Sequence, residues 1–316
     1  MQGRVLTCDQ NVEGPITGKD VTDLFRGCME MKRRDFLKAA TAGVLLSGID
    51  PFSFASAAQL FPPPQGLSQP DFDGHIKDYL HKMDNFDHPH SGDIILENKQ
   101  LSILNACVSR LQRLQGMAGH GNFNILSFDE GLAIAHRYPK VGSFTKEELD
   151  FLEKIFYSDS AIYGFWGEKP IESITTRINE RKVVNISGSG NYLYKGKPHE
   201  MYEKLRKRVG DQLYLTSGIR GVVKQFLLFL DKAHNNNGNL SLASRSLAPP
   251  GYSYHGIADF DVGQTGFGAL NFTGKFTTTE VFKKLEDMDY VTIRYPKDNL
   301  KGVRFEPWHI KVYPEA

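Results

Sequence analysis

Apolar residues recur along this chain with two different periods. Leu101, Leu104, Val108, Leu111 and Leu114 fall three or four apart, the interval of a helix that buries one stripe, and predict a helix over 99–115. Phe72, Ile76, Tyr79 and Leu80 predict a shorter one over 71–83. Thr145 followed by Glu148 has the spacing of an N-cap and its reciprocal partner, so a third helix should run on through Leu152 and Ile155 to residue 157. Further on the period changes. A basic amphipathic helix over 199–209 and a buried helix over 222–233 alternate with short apolar runs at 212–216 and 257–262 that read as strands. A helix over 277–287, started by Thr278 or Thr279, and a strand over 290–294 complete a βαβ-like unit, before a last strand in which Ile310 and Val312 alternate. The expected class is α+β: a small, mainly antiparallel sheet preceded by a helical N-terminal layer.

Punctuation divides the chain. Ser187-Gly188-Ser189-Gly190-Asn191 reads as a flexible boundary, since it lacks the Lys-Ser/Thr continuation of a phosphate loop. It separates a helical region, 71–190, from a sheet-bearing domain, 191–316. Asp87-His88-Pro89-His90-Ser91-Gly92-Asp93, despite its metal-friendly side chains, reads as a surface turn. Met31-Lys32-Arg33-Arg34-Asp35-Phe36-Leu37-Lys38, the apolar run after it and Ala55-Ser56-Ala57 have the form of an export signal over 31–57, with the paired arginines of the twin-arginine type. The apolar run is too short to span a bilayer, so no stable membrane insertion is expected after cleavage. Residues 1–30 read as an upstream extension and 58–70, with Pro62-Pro63-Pro64, as a stiff spacer.

Composition changes this picture little. With 316 residues, 40% hydrophobic and 24% charged, the chain can bury a sizeable core, and a net charge of +1 gives no reason to expect a nucleic-acid partner. Of its 3 cysteines only Cys107 follows the signal, in an apolar helical stretch where it reads as a small buried hydrophobe.

Candidate chemistry lies near the C-terminus. Phe305-Glu306-Pro307-Trp308-His309 puts a carboxylate and an imidazole three apart, so both reach one site only if the chain bends at Pro307 and Trp308. Upstream stand Ser253-Tyr254-His255 with Asp259 and Asp261, and Ser217-Gly218-Ile219-Arg220 with Gln225. Two histidines and one aspartate make a tridentate zinc set that leaves a fourth position for water, with a glutamate beside it as base. Arg220, at a strand-to-helix turn, presents a guanidinium suited to gripping a carboxylate.

In that order these three blocks resemble the VanY-like D-alanyl-D-alanine carboxypeptidases, a zinc peptidase group that also holds lysostaphin-type endopeptidases and the hedgehog fold. The resemblance spans 199–312. The middle block departs from the pattern: Asp259 stands four and Asp261 six residues after His255, where the family has seven. The resemblance implies Zn2+ held by His255, Asp261 and His309, with Asp259 the rival to Asp261, and Glu306 as general base. It implies that Arg220 meets the oxyanion or the terminal carboxylate of the substrate, and that Ser253, Ser217, Gln225 and Trp308 line the substrate site. The implied substrate is a peptidoglycan stem peptide cut at D-Ala-D-Ala. An endopeptidase on the same metal set, for example for L-Ala-D-Glu, and a non-catalytic wall-binding protein are the alternatives.

Overall fold

The first predicted stripe is a helix, α1 (Asn98–Ala118), with Leu104, Cys107, Val108, Leu111 and Leu114 buried along it. The computed structural model describes residues 78–313, within a unit spanning Ile76–Ala316. The export signal, the spacer, the upstream extension and residues 71–77 of the first expected helix lie outside the described residues; 78–84 are helical. No helix among the described residues is long and apolar enough to cross a membrane.

Two further helices start with complete capping boxes, in which a hydroxyl and a carboxylate satisfy backbone N–H groups reciprocally. In α2 (Phe128–Arg137) the pair is Ser127 and Glu130; in α3 (Lys146–Tyr157) it is Thr145 and Glu148, as the sequence predicts. Glu148 has a second task, because Arg110 of α1 reaches it at 2.9 Å and also donates to the carbonyl of Gly142 at 2.8 Å. One carboxylate thus starts α3 and fastens it to α1. Cys107 is fully buried and free, and burial pushes its thiol up to about 12.

The helical core does not stop at residue 190. Helix α5 (Val222–His234) buries Val222, Val223, Phe226, Leu227, Phe229, Leu230 and Ala233, and packs on α1 with α6 (Leu240–Ser244) beside it. A helix apolar on nearly every side belongs in an interior. Here that interior is shared with the N-terminal helices, so the layer expected over 71–190 takes its central helix from the later half of the chain. The surface turn at 87–93 is a turn, yet its last side chain is buried: Asp93 pairs with Arg245 at 2.7 Å, with side-chain exposures of 3% and 5%. That pair ties down the loop bearing Phe86 and Asp87.

The glycine-rich stretch lies inside one compact unit. It forms the turn of a hairpin, β1 (Val183–Ile186) and β2 (Asn191–Tyr194), with Gly188 and Gly190 at φ 75 and 68, which a side chain would disfavour. After α4 (Lys197–Val209) come β3 (Leu213–Ser217), β4 (Phe260–Gln264) and β5 (His309–Ile310), one antiparallel sheet in that order. The expected strand at 257–262 begins only at Phe260, because Tyr254–Gly256 coil into a 3-10 turn and the Tyr254 carbonyl takes the N–H groups of both Ala258 and Asp259. Thr279, not Thr278, caps α7 (Glu280–Glu286). Residues 290–294 form no strand; Ile293 makes a single antiparallel bridge to Ile310, so there is no βαβ unit. A second core, with Leu205, Leu215, Phe260, Val262, Phe276, Leu285, Trp308 and Ile310, supports the sheet. The class is α+β.

Candidate metal centre

The register of the sheet assembles the site. Asp261 of β4 faces Ser217 of β3 on one side and His309 of β5 on the other. The β3–β4 ladder slips between Leu215 and Ser217, and such a bulge re-aims the residues that follow it. The chain then passes tightly under the hairpin: Ile219 N–H donates to the Tyr192 carbonyl at 2.8 Å, and a Cβ on Gly218 would lie 2.0 Å from that oxygen. Only glycine fits there. Its own carbonyl accepts the Nδ1–H of His255 at 2.8 Å, which leaves the lone pair of His255 on Nε2.

His255, Asp261 and His309 bring their donor atoms within 4.8 Å of one another, and all three are buried. His255 Nε2 lies 3.2 Å from Asp261 Oδ1, and His309 Nδ1 lies 3.8 Å from the same oxygen. Among the described residues neither His255 Nε2 nor Asp261 Oδ1 has a hydrogen-bond partner. Two buried acceptors aimed at each other call for a cation between them. Ligands of a tetrahedral zinc with bonds of about 2.0–2.2 Å sit roughly 3.3–3.5 Å apart, so the spacing fits a small divalent ion. The charge states of His255 and Asp261 fit as well. Burial and Arg220 lower the pKa of His255, keeping it neutral. Burial alone would raise that of Asp261, but the permanent charge of Arg220 beside it holds its carboxyl well below the usual range.

Asp259, the rival acid, stands elsewhere. It takes a two-point ion pair from Arg294 at 2.6 and 2.8 Å, accepts the N–H of Val312 at 2.8 Å, and meets His309 at Nε2, 3.1 Å away. It therefore holds the imidazole by the nitrogen that faces away from Asp261 and turns Nδ1 toward the triad, the usual arrangement behind a metal-bound histidine. Burial opposes charge on His309, yet hydrogen bonds to Asp259 and Glu306 raise its pKa to about 9.

The bend at Pro307 and Trp308 is present: His309 N–H donates to the Glu306 carbonyl at 3.1 Å, and the Glu306 carboxylate comes 3.1 Å from His309 Nδ1. Trp308 is buried in the second core, with one side on the cleft and its ring edge-on to Phe272. Arg220 donates through Nη2 to Asp261 and through Nε to Ser217 Oγ at 2.9 Å. Two of its nitrogens are thus engaged by the protein, ahead of any contact with the oxyanion or the terminal carboxylate of a substrate. Ser217 and Ser253 line the cleft. Gln225 does not: it is buried in α5, where Nε2 donates to the Arg220 carbonyl at 2.7 Å and Oε1 accepts the Gly251 N–H at 2.9 Å. Its expected place in the substrate site is corrected to a tie between two loops.

The cleft has a volume of about 670 Å³ and, besides the triad, is lined by Arg304, by Lys224, Leu228 and Lys232 on α5, and by Asn124. None of these cleft residues stands in the three sequence blocks. Only the four-residue spacing along α5 could have marked the lysines.

Residues 196–315 match the family model described as VanY, D-alanyl-D-alanine carboxypeptidase. No curated protein matches the chain. Two solved structures are similar over part of it: the LdcB LD-carboxypeptidase, 22% identical, covering 42% of this chain and 69% of that one at a TM-score of 0.36; and VanYB in complex with D-alanine-D-alanine, 20% identical, covering 46% and 83% at 0.37. From residue 196 onward, the chain is VanY-like.

Proposed function

We propose that the protein is a zinc-dependent peptidase of peptidoglycan stem peptides, releasing the terminal D-alanine from a D-Ala-D-Ala end. The reading rests above all on one observation: two buried acceptors without hydrogen-bond partners among the described residues, His255 Nε2 and Asp261 Oδ1, converge with His309 Nδ1 while Glu306 stands beside them. The match of residues 196–315 to the VanY family supplies the substrate class.

His255, Asp261 and His309 would hold the ion, which when bound polarises a scissile carbonyl and acidifies a water molecule. Glu306 takes the proton of the attacking water and returns it to the leaving amine. Arg220 keeps Asp261 ionised and oriented, Asp259 fixes the ring of His309, and Ser253 donates to the peptide. Export through the twin-arginine-type signal would place the enzyme where peptidoglycan lies.

A second reading is an endopeptidase on the same metal set, for which a cleft of about 670 Å³ lined as far as α5 leaves room for more peptide than a terminal dipeptide. Product analysis on defined muropeptides separates the two: free D-alanine supports the carboxypeptidase, and larger fragments alone contradict it. A chelator is expected to abolish the release and added zinc to restore it; release unaffected by chelation rules out the metal mechanism.

A further inference from the structure

One wall of the cleft carries positive charge that the reaction as proposed leaves unused. Lys224, Leu228 and Lys232 are four apart on α5, a helix otherwise buried on most sides, and all three line the cleft. At the far end of that row, burial and the charge of Arg304 together lower the pKa of Lys232, so the two cations act on each other, with Asp87 opposing both and Glu306 and Asp261 acting on Arg304 from the site. Arg304 itself lies over two rings, 4.6 Å from the centre of Phe86 and 4.9 Å from that of Trp308. Its backbone N–H is fixed on the Arg245 carbonyl at 2.9 Å. Its Nε is buried with no hydrogen-bond partner among the described residues.

Two cations brought together at a partly desolvated wall repel each other, and an unshared guanidinium N–H there costs free energy. A carboxylate placed between them relieves the repulsion, and aromatic faces hold a guanidinium in the plane that a carboxylate needs. Arg220 is not free for this task, since it already serves Asp261 and Ser217. We propose that Arg304 and Lys232 form a carboxylate-binding subsite of the cleft, which reads an anionic group of the peptide and sets its position relative to the triad. This rests on the reading of the substrate as a peptide. The group is either the terminal carboxylate or that of an acidic residue upstream.

Calorimetric titration of the metal-free full chain tests the subsite without turnover. The probes are a peptide ending in D-Ala-D-Ala with one upstream carboxylate, and two derivatives in which one or the other carboxylate is amidated. One amidation is expected to weaken wild-type binding roughly 10- to 100-fold, the range for a charge-assisted pair. Arg304→Gln should show the same loss with the charged peptide and no further loss with that amide, and Lys232→Gln a smaller loss of the same kind. Which amide matters identifies the group. Wild-type protein that binds all three peptides alike, or none, overturns the subsite, as does a folded Arg304→Gln protein of unchanged affinity. Should Arg304→Gln not fold, unchanged affinity in Lys232→Gln overturns it instead. A protein that discriminates the amides but releases no D-alanine with zinc present sinks the hydrolase reading and leaves the subsite standing.

Discussion

Glu306→Gln is expected to keep the zinc content of the protein and to lower D-alanine release by about 10²- to 10⁴-fold, the usual contribution of a positioned general base. Glutamine preserves the size of a side chain that is buried against His309, and it cannot take a proton from water. The backbone N–H of Glu306 donates to the Tyr295 carbonyl at 3.0 Å, which holds the residue in place whatever its charge. Loss of turnover with metal and fold retained is therefore a loss of chemistry. Turnover near wild type in this variant would remove Glu306 from the mechanism.

The second large effect separates the two acids. Asp261→Ala is expected to abolish stoichiometric zinc binding, because it removes the oxygen aimed at both imidazoles. It also strands Arg220, whose side chain is only 16% exposed, and breaking a buried pair in this way costs about 3–5 kcal/mol. Asp259→Asn should instead keep the site and weaken zinc roughly 10- to 100-fold, the range for losing a partner behind a ligand. Competition against a chromophoric chelator measures both, and denaturant unfolding of the metal-free proteins reads the stability cost. If Asp259→Asn loses the metal while Asp261→Ala retains it, the roles are reversed.

What the sequence shows and what it hides follow from the range of the interactions. The helices α1 and α3 are legible because their apolar stripe and the Thr145–Glu148 box are local patterns. The same box at Ser127–Glu130 starts α2, whose ten residues are too few for an apolar stripe to stand out. The hairpin of β1 and β2 is four residues a side, too short for alternation to stand out, so its turn glycines look like a break between domains. Residues 290–294 are apolar enough for a strand, but Arg294 is drawn onto Asp259 and a single bridge remains.

The site divides in the same way. The bend between Glu306 and His309 is written in Pro307 and Trp308. The choice between Asp259 and Asp261 is not local, since it depends on Arg294, 35 residues beyond the first of them, and on a bulge in β3. Gln225 sits at a motif spacing that looks functional, and only the packing of α5 shows both ends of its amide engaged with backbone. Arg304 is an ordinary arginine in the sequence; its stacking on Phe86, far off in the chain, sets it apart.

The central claim is that one divalent ion is held by three side chains from separate turns of the chain. Diffraction at the zinc absorption edge from crystals grown with zinc tests it directly. The account predicts a single anomalous peak about 2.0–2.2 Å from His255 Nε2, Asp261 Oδ1 and His309 Nδ1, the bond lengths of nitrogen and oxygen ligands to zinc. Diffraction that shows no peak within reach of those three atoms, under zinc concentrations that support turnover, would contradict it.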